Sequence, residues 1–221
     1  MTSKPSFLEA VKDLRYLLNR GYNRESAVRF VGDRYQLNRR QRLMLYRAVY
    51  DEKTAEAHMN KMVPVSAVRG RRIAVDGYNT LITIESLIED RIVVFCDDGF
   101  VRDISAIHGR HKPTRTTTEA LQLLLDLLRE LQPSEVLFSF DAQVSFSGEL
   151  AAQTRTLLTE YGLRGEAHIV KQADVFALKH GEIISSSDAV LIDKAVRLVD
   201  LAAEIGRRRF RNKLLSLEEV G

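Results

Sequence analysis

Cysteine occurs once in the 221 residues, at Cys96, so no disulfide can close within the chain. None of the five histidines stands at zinc-ligand spacing to it. His108 and His111 form at most an exposed loop pair. Proline and glycine are sparse, at four and twelve residues, which argues against a fibrous or disordered chain. No run of about 18 apolar residues is present, and the opening MTSKPSFLEAVKDLRYLLNR is too charged for a signal-peptide core. The expectation is a cytoplasmic protein with no membrane partner. Also missing are a Gly-rich dinucleotide fingerprint and a GxxxxGK[ST] phosphate loop.

What the chain does have is charge segregated along its length. The net charge of +3 conceals 16 Lys and Arg against 7 Asp and Glu in residues 1–72, a balance of +9, and 17 against 23 in the remainder, a balance of −6. A basic piece is joined to an acidic one.

The basic piece reads as short helices. Ser6 suits the cap of a first helix with Leu8, Val11, Leu14, Leu17 and Leu18 at helical spacing and Gly21 beyond its end. Asn23 precedes a second amphipathic segment reaching about Tyr35. Asn38 with Gln41 makes a capping box for a third helix running to about Glu52. Arg39, Arg40 and Arg42 open that helix and Arg47 follows a turn or more later, compatible with a helix-turn-helix-like grip on a phosphate backbone. A solvated basic face explains the same residues. Residues 53–71, with Pro64 and Gly70, have a linker's composition, and the join is set at 61–71 between a helical domain at 1–60 and a second domain at 72–221.

Beyond the join the rhythm changes. Strand-like runs RIAVDG (72–77), VLFSFDA (136–142), EAHIV (166–170) and EIISSSD (182–188) alternate with helical segments. One of these is TTTEALQLLLDLLRELQ (116–132), with Thr116 and Glu119 as its capping pair, and another spans 148–161. Alternation of this kind predicts an α/β fold with a mostly parallel sheet flanked by helices. The stretch 91–105, centred on Asp97-Asp98-Gly99, reads as an inserted β-hairpin.

In open α/β sheets, ligands bind outside the carboxyl ends of the strands. The first strand ends on Asp76, the second on Asp141, and the fourth on Asp188, while Asp174 follows the third by four residues. Carboxylates brought together repel one another unless protons or cations intervene, and an all-oxygen cluster suits Mg²⁺ or Mn²⁺. Each acid alone has a plainer role: Asp141 and Asp188 suit helix caps, and Asp76 before Gly77 suits a turn. A phosphoaspartyl transferase would need a second Asp at position 78, which is Tyr.

The motifs VDGYN (75–79), FSFDA (138–142), QAD (172–174) and SSSD (185–188) resemble, in order and separation, those of the PIN-like nucleases, closest to the NYN branch. The resemblance implies a Rossmann-like PIN fold over 72–205 and a metal site built from Asp76, Asp141, Asp174 and Asp188. It also implies Asn79 as the polar residue beside the first acid, and hydrolysis of RNA to 5′-phosphate and 3′-hydroxyl ends. The whole chain is similar to an uncharacterised, mainly archaeal family that joins a basic helical domain to a PIN-like domain. The 96–109 insertion departs from the nuclease pattern. It reads as a structural hairpin, with Arg102 as its phosphate-binding candidate. Ser145 and Ser147 read as caps of the helix after Asp141, and Asp193 as an exposed acid on a helix.

The leading expectation is therefore a metal-dependent ribonuclease whose basic helices hold RNA, ahead of single-stranded DNA, through Arg39, Arg40, Arg42 and Arg47. The competing one is a non-catalytic RNA-binding or ribosome-associated protein on the same scaffold. Shared carboxylate geometry free of Lys171 and Lys194 discriminates between them. A third reading, an adaptor pairing through ALQLLLDLLRELQ, conflicts with that segment's apolar residues lying on more than one face. Homo-oligomerisation stays open.

Overall fold

The computed structural model describes residues 7–104 and 111–219. Ser6 and His108 lie outside them. Four helices open the chain: α1 (Phe7–Asn19), α2 (Arg24–Arg34), α3 (Arg39–Ala48) and α4 (Glu52–Met59). The Asn23 side chain caps α2, and the Asn38/Gln41 capping box starts α3 as its spacing predicts. The third helix stops at Ala48, short of Glu52, because Val49 turns extended and Asp51 takes the Thr54 N–H to start α4. A helix thus fills the first half of the stretch that reads as a linker.

Among the described residues eight strands follow, with six further helices between them. Strands β1 (Arg72–Asp76), β4 (Glu135–Asp141), β5 (Gly165–Val170), β6 (Ile183–Ser185) and β7 (Leu198–Val199) form one five-stranded sheet in the order β5-β4-β1-β6-β7, all neighbours parallel. The near-continuous apolar runs of β1 and β4 match a sheet buried on both faces. Helices α5 (Gly77–Ile88), α6 (Arg115–Leu131), α7 (Ser147–Glu160) and α10 (Leu201–Arg209) cover one face, sharing a core with Ile73, Val75, Phe138 and Phe140. Helices α8 (Ala173–His180) and α9 (Ala189–Lys194) cover the other, over Ala74 and Ile184. The leucines of α6 lie inside this core, so the segment is no free dimerisation face. Its cap is Thr114 with Thr117, two residues ahead of the expected Thr116 pair.

Strands β2 (Val93–Phe95) and β3 (Val101–Asp103) form the expected antiparallel hairpin, turning at Gly99 with a left-handed φ of +82°. Short β8 (Leu214–Leu215) joins it in parallel to β2. Period-two alternation puts Val93 into a cluster with α5 and α10 and Val94 into the core of α1–α4. The hairpin consequently welds the basic helices to the α/β unit. Arg15 of α1 reinforces the join, donating through Nε and Nη2 to both oxygens of Asp97 at 2.8 and 2.6 Å.

Candidate functional site

From β1 the chain builds outward to β4 and β5, then returns to the opposite side of β1 as β6. The crevice at such a reversal, at the carboxyl ends of β1 and β6, is where open α/β sheets place their ligands. Asp76 ends β1 there and is only 4% exposed. It occupies the N-cap position of α5, yet its side chain makes no capping bond. Its Oδ2 instead accepts from Asn79 Nδ2 at 2.6 Å and from Ser186 Oγ at 2.8 Å. Ser186 in turn accepts the Asp188 N–H at 3.1 Å, so the two strand ends are fastened to each other. Gly77 has an ordinary φ; the glycine is needed because a Cβ there would collide with the Phe140 ring, rather than for the sharp turn its position suggests.

The remaining acids stand on the same edge in different circumstances. Asp188 caps α9, accepting the Leu191 N–H at 3.0 Å. Asp141 ends β4 and accepts the Ala173 N–H at 3.2 Å, which ties the strand to the start of α8. Asp174, in the first turn of α8, has Lys194 Nζ 4.0 Å away, both side chains being partly exposed. Among the described residues, no three His, Cys, Asp or Glu side chains stand close enough together to enclose a metal ion by themselves. Neither Ser145 nor Ser147 caps α7; Phe146 holds the N-cap position with φ +65° and no side-chain bond.

In front of this edge lies a cleft of about 370 Å³ between α2, α3 and α4 on one side and the strand ends on the other. Asn79, Thr83, Asp188 and Asp193 line one wall, and Arg24, Tyr46, Arg47 and Tyr50 line the opposite one. Of the arginines expected to hold a phosphate, Arg47 and Arg102 line this cleft, Arg47 with Nη1 anchored on the Asp103 carbonyl at 2.7 Å. Arg39 and Arg40 are exposed on the first turn of α3. Arg42 is committed elsewhere, to Asp33 and to the carbonyls of Leu37 and Arg29.

Arg102 is only 6% exposed at the cleft and is held by protein partners. Its Nη1 and Nη2 grip both oxygens of the fully buried Asp98 at 2.7 Å, and its Nε donates to the Ser187 carbonyl. The His58 ring bridges Asp98 at 2.9 Å and Asp193 at 2.8 Å, which joins α4, the hairpin and α9. Asp193 is exposed, as expected, but holds this bond as well. Burial opposes charge on His58, yet its bonds to Asp98 and Asp193 raise its pKa above the ordinary value. Burial likewise opposes ionisation of Asp98, but the His58 and Arg102 bonds bring its pKa below the usual carboxylate range. His111 is buried on Glu85 at 2.9 Å, not exposed in a loop.

These shifts set a window for the network. The raised His58 contributes stability fully below its unfolded value of about 6.5, and that contribution drains as pH rises through the folded value. The lowered Asp98 contributes above about 3.9 and loses its share as pH falls through its folded value. The stability difference between wild type and His58→Gln, read from denaturant unfolding, is expected to be largest near pH 6 and to shrink by pH 9. A difference constant across that range means that the histidine is not charged in the network.

A parallel α/β sheet with an oriented strand-end carboxylate, next to a cleft lined by Asn79 and Asp188 and walled by basic helices, defines the class of protein. The chain belongs to the family described as "Domain of unknown function (DUF5616)", which matches residues 65–204; residues 6–61 match "Protein of unknown function (DUF434)". It is 35% identical over 201 residues to an uncharacterized protein of Methanocaldococcus jannaschii, covering 90% of this chain and 96% of that one. No solved structure matches it. No helix among the described residues is long and apolar enough to cross a membrane.

Three residues of the site, Arg24, His58 and Ser186, carry no signal in the sequence that marks them out. Ser186 sits inside the SSSD motif, where the acid is the conspicuous member. His58 and Arg24 lie in the basic helices, 135 and 22 residues from the partners that reveal them.

Proposed function

We propose that the chain is a metal-dependent ribonuclease of PIN-like type, working in the cytoplasm on RNA held between the basic helices and the sheet edge. The observation that carries this reading is Asp76: a buried carboxylate at the topological switch point, unused as a helix cap and aimed by Asn79 and Ser186. Carboxylates oriented by neighbouring hydrogen-bond donors are the form in which proteins present hard oxygen ligands.

The donor set fits Mg²⁺ or Mn²⁺ in kind. Mg²⁺ usually takes one or two carboxylates, several waters and the substrate's own phosphate oxygens, so a closed protein cage is not required. Asp76 and Asp188, linked through Ser186, would hold it, with Asp141 next along the edge. Such an ion, when bound, lowers the pKa of a water and offsets charge on the phosphate. Asn79 and Ser186 fix the Asp76 carboxylate, and Arg24 and Arg47 supply positive charge across the cleft.

The test is a cleavage assay on single-stranded RNA, structured RNA and single-stranded DNA with Mn²⁺, Mg²⁺ or EDTA. Products that need the metal are expected from RNA. Intact substrates throughout, with RNA still shifted on a gel, favour the second reading, a non-catalytic RNA-binding protein. Lys194 beside Asp174 is the observation on that side.

The exposed arginines make a separate prediction. Arg39→Glu with Arg40→Glu is expected to weaken RNA binding about tenfold or more and to flatten the slope of log affinity against log salt by roughly one for each phosphate no longer neutralised. An unchanged slope in a salt titration takes α3 out of the binding surface.

A further inference from the structure

The cleft has two unlike walls, and the α2/α3 wall carries features that binding a metal at the strand ends does not call on. Tyr46 is 42% exposed and lines the cleft. The Arg24 guanidinium lies 5.9 Å from the Tyr46 ring centre and 4.3 Å from that of buried Tyr50. Its hydrogen bonds to the carbonyls of Tyr46 and Val49 both run through Nη1, as does the bond from Arg47 to Asp103. Two guanidinium groups are thus pinned through Nη1, with an exposed aromatic face between α2 and the strand ends.

The sequence of α3 leads into this wall. Residues seven apart lie two turns apart on one face of a helix, so Arg39 shares a stripe with Tyr46, and Arg40 with Arg47. The stripe is about 10 Å long at 1.5 Å per residue, from exposed cations at its start to the cleft at its end. Positive charge tracking a backbone, with aromatic rings for bases, is the arrangement that holds single strands. The opposite wall is acidic, with Asp193 engaged by His58, so an anion settles on the arginine side.

We infer that the cleft takes one unpaired nucleotide of an RNA strand, its base stacked on Tyr46 beside Arg24 and its phosphate between Arg24 and Arg47, and that the substrate is therefore single-stranded at this position. A volume of about 370 Å³ accommodates one nucleotide-sized ligand. A nucleotide in a duplex must first unstack and unpair to enter. The inference rests on the ribonuclease reading for the identity of the ligand, but not on turnover.

The experiment reads binding in EDTA, with no metal and no cleavage. A short single-stranded RNA carrying one 2-aminopurine is titrated with the full chain, then the same RNA annealed to its complement. Quenching with the single strand, and affinity at least about tenfold weaker for the duplex, are expected. Tyr46→Ala is expected to lose the quenching and about tenfold in affinity, and Tyr46→Phe to keep both. Since Tyr46 is exposed, the alanine variant should fold, and its far-UV circular dichroism checks this. Equal affinity for single strand and duplex, or undiminished quenching in Tyr46→Ala, overturns the inference. Quenching without any metal-dependent cleavage sinks the ribonuclease reading alone, whereas cleavage with unaltered Tyr46→Ala binding sinks this inference alone.

Discussion

Exchanging Asp98 for alanine is expected to lower the unfolding free energy by about 3–5 kcal/mol, the range for removing one partner of a buried ion pair. Asp98 is fully buried and holds both terminal nitrogens of Arg102, itself 6% exposed, as well as the His58 ring. Deleting the carboxylate leaves a guanidinium and an imidazole, both nearly buried, without their shared counter-charge. The pair also locks three elements, because Arg102 reaches the Ser187 carbonyl and His58 reaches Asp193. Loosening should therefore extend to the cleft. Denaturant unfolding of wild type, Asp98→Ala and the double variant Asp98→Ala/Arg102→Met measures the effect. Replacing a buried pair by apolar residues is often neutral, so the double variant should recover part of the stability. A decrease below about 1 kcal/mol, the scale of an exposed pair, would falsify the assignment of this network as a structural lock.

The second large effect concerns Asp76. Asp76→Asn keeps the shape and can still accept through its amide oxygen, so the fold is expected to persist with a near-wild-type unfolding transition. Metal-dependent RNA cleavage is expected to fall by at least about a hundredfold, and that of Ser186→Ala by about ten- to a hundredfold, the usual cost of removing a group that orients a ligand. Single-turnover cleavage rates at saturating Mn²⁺ provide the comparison. Retention of wild-type rates by Asp76→Asn places the chemistry elsewhere, whatever the fate of Ser186.

Both predictions depend on parts of the molecule that differ in how far local sequence discloses them. The strand-end position of Asp76 is readable from RIAVDG, since a buried parallel strand is a short apolar run and its end is marked by the first polar residues. The hairpin is equally legible, from two β-branched runs about Asp97-Asp98-Gly99. Its contents are not: Asp98 and Arg102 look like exposed turn charges in sequence, and only packing under α4 and α9 buries them. Arg42 differs from its expected role for the same reason, because whether an arginine faces solvent or a neighbouring helix is decided by the partner helix.

The amino-acid sequence by itself determined the first three helices, the hairpin, the parallel α/β class, the capping box at Asn38 and the division between a basic and an acidic part. All of these follow from interactions within about one or two helical turns or one strand. Tertiary structure alone decided that α1–α4 share a core with the hairpin, that Ser186 aims Asp76, and that Tyr46, Arg24 and Arg47 confront Asn79 and Asp188 across one cleft. Those are meetings of residues tens to more than a hundred positions apart, and what brings them together is the order β5-β4-β1-β6-β7 and the docking of the hairpin. Neither leaves a local pattern in the chain, because both are set by how separate apolar faces find one another once they have formed.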